Sequence, residues 1–137
     1  MKAVVLHDHG GVDALTYEEN FPDPECGAND VIVRVKATSL NYHDIFTRNG
    51  MPGIKIKMPM ICGLDVAGEI AELGSQVSGW SIGDRVLIDP RNRVEGGLVG
   101  ETIHGGLAEY CRVADHQLVN IPDGVSFDEA SSLPVAY

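Results

Sequence analysis

The chain is 137 residues long, 44% hydrophobic and 22% charged, which suits one folded domain with its own core and excludes disorder as the main state. Its formal charge of -10 repels phosphate backbones and anionic lipid surfaces, so neither nucleic acid nor a membrane is an expected partner. No apolar run approaches the ~20 residues that span a bilayer, and three cysteines without a CxxC encode neither a disulfide framework nor a closed zinc site, so the expected location is the cytoplasm.

Strand signals dominate the chain order. KAVVLH (2–7) comes first, and DVIVRVKA (30–37) then alternates Val31, Val33, Val35 and Ala37 against Arg34 and Lys36, the period-two mark of a half-buried strand. Asn41 to Asn49 predicts about two helical turns, ended by Gly50 and Pro52. Short apolar segments follow at 66–73, 85–89, 107–114 and 117–121, separated by turn residues such as Gly83-Asp84 and Pro122-Asp123-Gly124. Many short strands in so small a domain predict an antiparallel barrel. Ser126 followed by Glu129 is a capping-box arrangement that starts a helix near Phe127, interrupted by Pro134. The chain stops on Val135-Ala136-Tyr137, apolar residues with nothing following to cover them, which reads as the first part of a longer polypeptide.

The stretch 41–68, NYHDIFTRNGMPGIKIKMPMICGLDVAG, gathers a histidine, a cysteine and two aspartates. A catalytic zinc takes three ligands from thiolate, imidazole or carboxylate. Cys62 precedes a glycine in an apolar run and His43 is offset by two residues from Asn41, so they read as a buried structural thiol and a solvated imidazole. Arg48, Lys55 and Lys57 form a stretch without acids, which serves either as a cationic edge for an anionic ligand or as solvated loop charge. The connection from Asp89 to Gly106 is long enough to be functional or mobile, and its contents name no ligand.

Three blocks, ATSLNYHDIFTRNG (37–50), PMICGLDVAGEIAELGSQVSGWSIGDRV (59–86) and GGLAEYCRVADHQLVNIPDGVSFDEASSLP (105–134), closely resemble in order and spacing the N-terminal GroES-like catalytic domain of the medium-chain dehydrogenase/reductases. The resemblance implies a mainly β fold, a partly open GroES-like barrel with a few short helices. It assigns residues 1–125 to the substrate-side domain and 126–137 to the start of a helix connecting to a nucleotide-binding domain, which is not seen here: no G-x-G-x-x-G is present. By itself such a domain is expected to be inactive.

Zinc-bearing members of this superfamily carry Cys, His and Glu where this chain has Asn41, Leu64 and Asp65, and the four-cysteine structural lobe is lacking from 89–106. Asn41-Tyr42-His43-Asp44 instead matches the Asn-(Tyr/Phe)-x-Asp of the zinc-independent quinone oxidoreductase and enoyl reductase branch. The resemblance thus implies an NADPH-dependent reductase of quinones, enones or similar activated double bonds, with no zinc and with homo-oligomerisation through the absent domain. Asn41 is expected to face nicotinamide or substrate, Tyr42 to offer its hydroxyl to a substrate carbonyl, and Asn41 with Asp44 to lie at the cofactor. The competing structural roles are Asn41 as a helix cap, Tyr42 as core and Asp44 as a holder of backbone. Gly50-Met51-Pro52 lacks the tyrosine that some enoyl reductases of this class place there as proton donor, which weakens a thioester substrate. A zinc alcohol dehydrogenase with degenerate ligands and a non-catalytic GroES-like module are the alternatives.

Overall fold

The structure is a computed structural model and describes residues 1–137. Strand β1 (Ala3–Leu6) pairs antiparallel with β2 (Leu15–Glu18) and β4 (Met60–Ile61) in a three-stranded sheet. The larger sheet has the order β7-β3-β5-β6-β8, with β3 at Asp30–Ser39, β5 at Asp65–Leu73, β6 at Arg85–Ile88, β7 at Tyr110–Ala114 and β8 at Leu118–Asn120. All its pairings are antiparallel. Helix α1 spans Tyr42–Asn49 and α2 spans Phe127–Ser131.

The alternation read in β3 is there: Arg34 and Lys36 are exposed and Val31 and Val33 fully buried. Ile32 is buried as well, and the register against β5 shifts between Ile32 and Val33, where Ala71 of β5 is the extra residue, and again between Val35 and Ala37. Such bulges re-aim side chains without breaking the ladder. Opposite the second shift sits Gly68, where an added Cβ would lie 2.2 Å from the Arg34 carbonyl oxygen, so only glycine lets β5 approach β3 this closely. The core is built from the inward faces of these strands: Val31, Val33, Val66, Ile70, Val86, Ile88, Cys111, Val113 and Leu118. Val99, from the long connection, completes it.

The two sheets do not close into one continuous barrel. Residues 107–109, expected as strand, belong instead to a crossing: Val4 N–H donates to the Leu107 carbonyl at 2.8 Å, Glu109 N–H to the Lys2 carbonyl at 3.1 Å, and Val35 N–H to the Glu109 carbonyl at 2.9 Å. This segment stitches one sheet to the other, leaving regular pairing with β3 only from Tyr110 onward. Strands β2 and β4 were not legible, since LTYE carries weak alternation and a two-residue strand has no period. The capping box at α2 forms as expected, with Glu129 N–H donating to Ser126 Oγ at 3.2 Å and Ser126 N–H to Glu129 Oε2 at 2.8 Å. Ala130 of α2 packs on Ala67 of the central strand β5 and on Ile121.

The long connection is anchored rather than loose. Val99 N–H donates to the Pro90 carbonyl at 2.8 Å, and Asn92, itself buried, accepts from the backbone of Val94 and Glu95. Gly105, Gly106 and Leu107 donate in turn to the carbonyls of Ile61, Gly63 and Cys62, at 2.7 to 3.0 Å, locking the end of the connection against the turn that precedes β5.

Candidate functional site

Helix α1 is short, so its placement depends on its ends. Asn41 occupies the N-cap in extended conformation, and Asp44 in the first turn accepts the Asn41 backbone N–H on Oδ2 at 2.8 Å. Its other oxygen, Oδ1, accepts the Gly63 N–H at 2.8 Å, so one buried carboxylate joins the helix start to the 61–64 turn. At the far end Gly50 (φ 85°) stops the helix. The end carbonyls are satisfied from the N-terminal loop, where Gly10 N–H reaches the Arg48 carbonyl at 3.0 Å and His9 Nδ1 lies 3.0 Å from that of Thr47.

The Asn41 side chain does not cap the helix. Its Nδ2 donates to Asp65 Oδ2 at 2.7 Å, an oxygen that also accepts from Ser39 Oγ at 2.6 Å. Asp65 Oδ1 accepts the backbone N–H of Val135 at 3.0 Å. A carboxylate offers only acceptors, so Nδ2 must face Asp65 and the amide orientation is decided chemically. What remains free on Asn41 is Oδ1 and one N–H.

Asn41, Asp44, Ile45 and Arg48 share one face of α1 and line a cavity of about 330 Å³, closed by Leu15, Leu40, Tyr42, Cys62 and Leu107. Its walls are mainly apolar with a few convergent polar groups, the usual make-up of a small-molecule site. All three sequence-derived site residues, Asn41, Tyr42 and Asp44, therefore meet at one place. Tyr42 is not core: it stands 79% exposed at the rim, its ring tilted against Phe46 at 6.5 Å. Of the cationic stretch only Arg48 reaches this cavity; Lys57 lines a separate hollow of about 520 Å³ with Phe21, His104 and Arg112, which holds none of the three.

The expected solvated His43 is a correction. Its Nε2 pairs with Glu101 Oε2 at 2.7 Å, and Glu101 is buried. His43 turns to the long connection because it lies on the side of α1 away from the cavity. Cys62 lies in the cavity wall, and burial, with the Asp44 carboxylate adding to it and Arg48 opposing, pushes its thiol up to about 11. It is a neutral thiol at physiological pH. At the positions where zinc-bearing members carry ligands, Leu64 is buried and has no lone pair and both Asp65 oxygens are engaged, and no group of three or more His, Cys, Asp or Glu side chains is placed to hold a metal ion. Ser39 and Glu101 were missed in the sequence, since neither stands in a motif and each matters only through a distant partner.

This geometry sits on a known scaffold. The profile of the alcohol dehydrogenase GroES-like domain matches residues 27–123. The chain belongs to that family. The resemblance to the N-terminal domain of medium-chain dehydrogenase/reductases read from the three blocks thus holds. Over 137 residues the chain is 37% identical to an NADPH-dependent alkenal/one oxidoreductase, chloroplastic, of Arabidopsis thaliana, covering 99% of this chain and 35% of that one. It is 31% identical to a quinone oxidoreductase of Lama guanicoe, covering 100% of this chain and 38% of the relative. Among solved structures, an NAD-dependent alcohol dehydrogenase superposes with a TM-score of 0.90 at 34% identity, covering 98% of this chain and 43% of that one. The chain spans little more than a third of the length of the two relatives. No helix in it is long and apolar enough to cross a membrane.

Proposed function

We propose that this chain is the substrate-side domain of a zinc-independent, NADPH-dependent oxidoreductase that passes hydride to a quinone, an enone or a related activated double bond. The observation that carries the reading is the Asn41 amide, oriented by a buried carboxylate, in the wall of a mainly apolar cavity. The names of the relatives, an alkenal/one reductase and a quinone oxidoreductase, point to the same chemistry. Residues 1–125 form the substrate-side domain in this reading, residues 126–137 lead to the cofactor-binding domain, and the whole protein works in the cytoplasm as a homo-oligomer.

A bound nicotinamide would supply the hydride, with Asn41 in the cavity wall placed to contact it. Within this chain, Asn41 presents Oδ1 and one N–H to cofactor or substrate, fixing the approach of the reacting atoms. Leu40, Ile45 and Leu107 give the cavity its apolar wall. Tyr42, at the rim, donates its hydroxyl to the substrate carbonyl oxygen, so that the charge developing there is met by hydrogen bonds alone. Asp44 contributes to the cofactor contact indirectly, by holding the backbone of Asn41.

The test is NADPH oxidation by the full-length protein with a panel of quinones, enones and simple ketones. Turnover is expected with the first two classes and is lost in Asn41→Ala while the protein stays folded. Failure to bind NADPH would overturn the reading in favour of a non-catalytic module. The superposition on an alcohol dehydrogenase favours the second reading, an enzyme of alcohols, which predicts turnover of alcohols with NAD instead.

A further inference from the structure

We propose that Asp65 is a positioning residue: it sets the orientation of the Asn41 amide and ties that amide to the segment around Val135. The proposal rests on the reading of Asn41 given above.

Asp65 is 1% exposed and makes no ion pair with any Lys, Arg or His; Ser39 Oγ, Asn41 Nδ2 and Val135 N–H are its partners. A carboxylate taken out of water without a countercharge is costly unless its lone pairs are filled, and charge-assisted bonds are the strong ones. Three donors from three separate stretches fill them here: the end of β3, the cap of α1 and the segment beyond α2. The carboxylate is required chemically, because an asparagine at 65 puts an N–H against at least one of these donors. Asp65 does not line the cavity, so it has no direct part in the reaction. Its lever is the side-chain amide of Asn41, whose backbone is held separately by Asp44.

The link to Val135 adds a second consequence. The turn after α2 is built on Leu133 N–H to the Ala130 carbonyl at 3.2 Å and Tyr137 N–H to the Leu133 carbonyl at 2.9 Å, which leaves the Val135 N–H free to point at Asp65. Displacing the 133–137 turn therefore withdraws one donor from Asp65 and loosens the amide that Asp65 holds.

The experiment uses the full-length protein and the four members of a cycle: wild type, Asp65→Asn, Asn41→Ala and the double variant, assayed with NADPH and a quinone. Asp65→Asn is expected to lower kcat by about 10- to 100-fold with little change in the quinone KM, and to raise the primary isotope effect from NADPH deuterated at the transferred position. Because Asp65 acts through Asn41, the double variant should have the kcat of Asn41→Ala alone. Independent, multiplying losses would overturn the proposal, as would an unchanged kcat in Asp65→Asn. Nuclear magnetic resonance tests the contact itself in the unmutated protein, which matters if a variant fails to fold: one Asn41 Nδ2 proton should be shifted and protected from exchange. An unprotected amide overturns the contact. A protected amide with full activity in Asn41→Ala sinks the functional reading of Asn41 and the catalytic part of this proposal together. Val135→Pro, which removes the backbone donor together with the valine side chain, should reduce the protection of that proton; unchanged protection would overturn the link to the 133–137 turn.

Discussion

The five-stranded sheet and the corner where α1 meets the 61–65 turn are held together by different forces. In the sheet, Val33, Val66, Ile70 and Val86 are buried to 1% exposure or less, and apolar area removed from water supplies the stability. In the corner, Asp44 and Asp65 are also buried, at 7% and 1% exposure, but act through hydrogen bonds: Asp44 fastens two backbone amides, Asp65 two side chains and one distant amide. Damage to the sheet should therefore show in stability, and damage to the corner in turnover.

The largest effect expected is on the sheet side. Ile70→Ala leaves a void among Val33, Val66 and Val86 and should cost about 2–5 kcal/mol in urea unfolding, with kcat per folded molecule unchanged. A comparable loss of turnover with no loss of stability would erase the contrast between the two regions. On the corner side, Asn41→Ala should lower kcat about 100-fold. The same variant should destabilise by about 1.5–3 kcal/mol, since it removes one charge-assisted donor from buried Asp65 and no cap bond; unfolding curves beside the assay check both halves.

A smaller effect sharpens the comparison through pH. The Cys62 thiol in the corner is pushed up to about 11 and Cys111 in the sheet core to about 12, in both cases chiefly by burial. In the unfolded chain these thiols release their protons near their ordinary value of 9.0, so above it the unfolded state binds fewer protons than the folded one. Stability should be level through neutral pH and fall as pH rises from 9.0 toward 11 and beyond, and Cys62→Ala should make the decline shallower in that window. A decline of the same steepness in this variant would remove Cys62 from the account. Burial acts in the opposite sense on His104, lowering its pKa, so the stability it contributes is present above 6.5 and is lost as pH falls below that value. The smallest effect is Tyr42→Phe, which should lower kcat about fivefold, the worth of one hydrogen bond, and leave the melting temperature in place because the ring is 79% exposed.

How much of this was legible in the sequence follows the same division. The sheet is encoded locally: the alternation of Val33 against Arg34 is a property of neighbours, as are Gly50 ending α1 and Ser126 with Glu129 starting α2, and these appeared where expected. The three candidate residues also come together at one cavity, because they share one motif and one helix start. The partners that give them their roles were not. Asn41 and Asp65 are 24 residues apart, His43 and Glu101 are 58, and Val135 and Asp65 are 70, distances across which no periodicity speaks. Asn41 was therefore weighed as a cap when its side chain points to Asp65, and His43 was read as solvated when a buried glutamate holds it. The crossing at 107–109 escaped for a related reason: its apolar residues fit a strand, but which strand they bond to depends on where two sheets meet.

The claim beneath all of this is that the corner works by hydrogen bonds, without a metal. It is tested most directly by the metal content of the full-length protein, purified without chelator, alongside its NADPH-dependent quinone reduction before and after chelator dialysis. The account predicts zinc well below one per chain and activity that survives the dialysis. About one zinc per chain, with activity lost on dialysis and restored by adding zinc back, would contradict it.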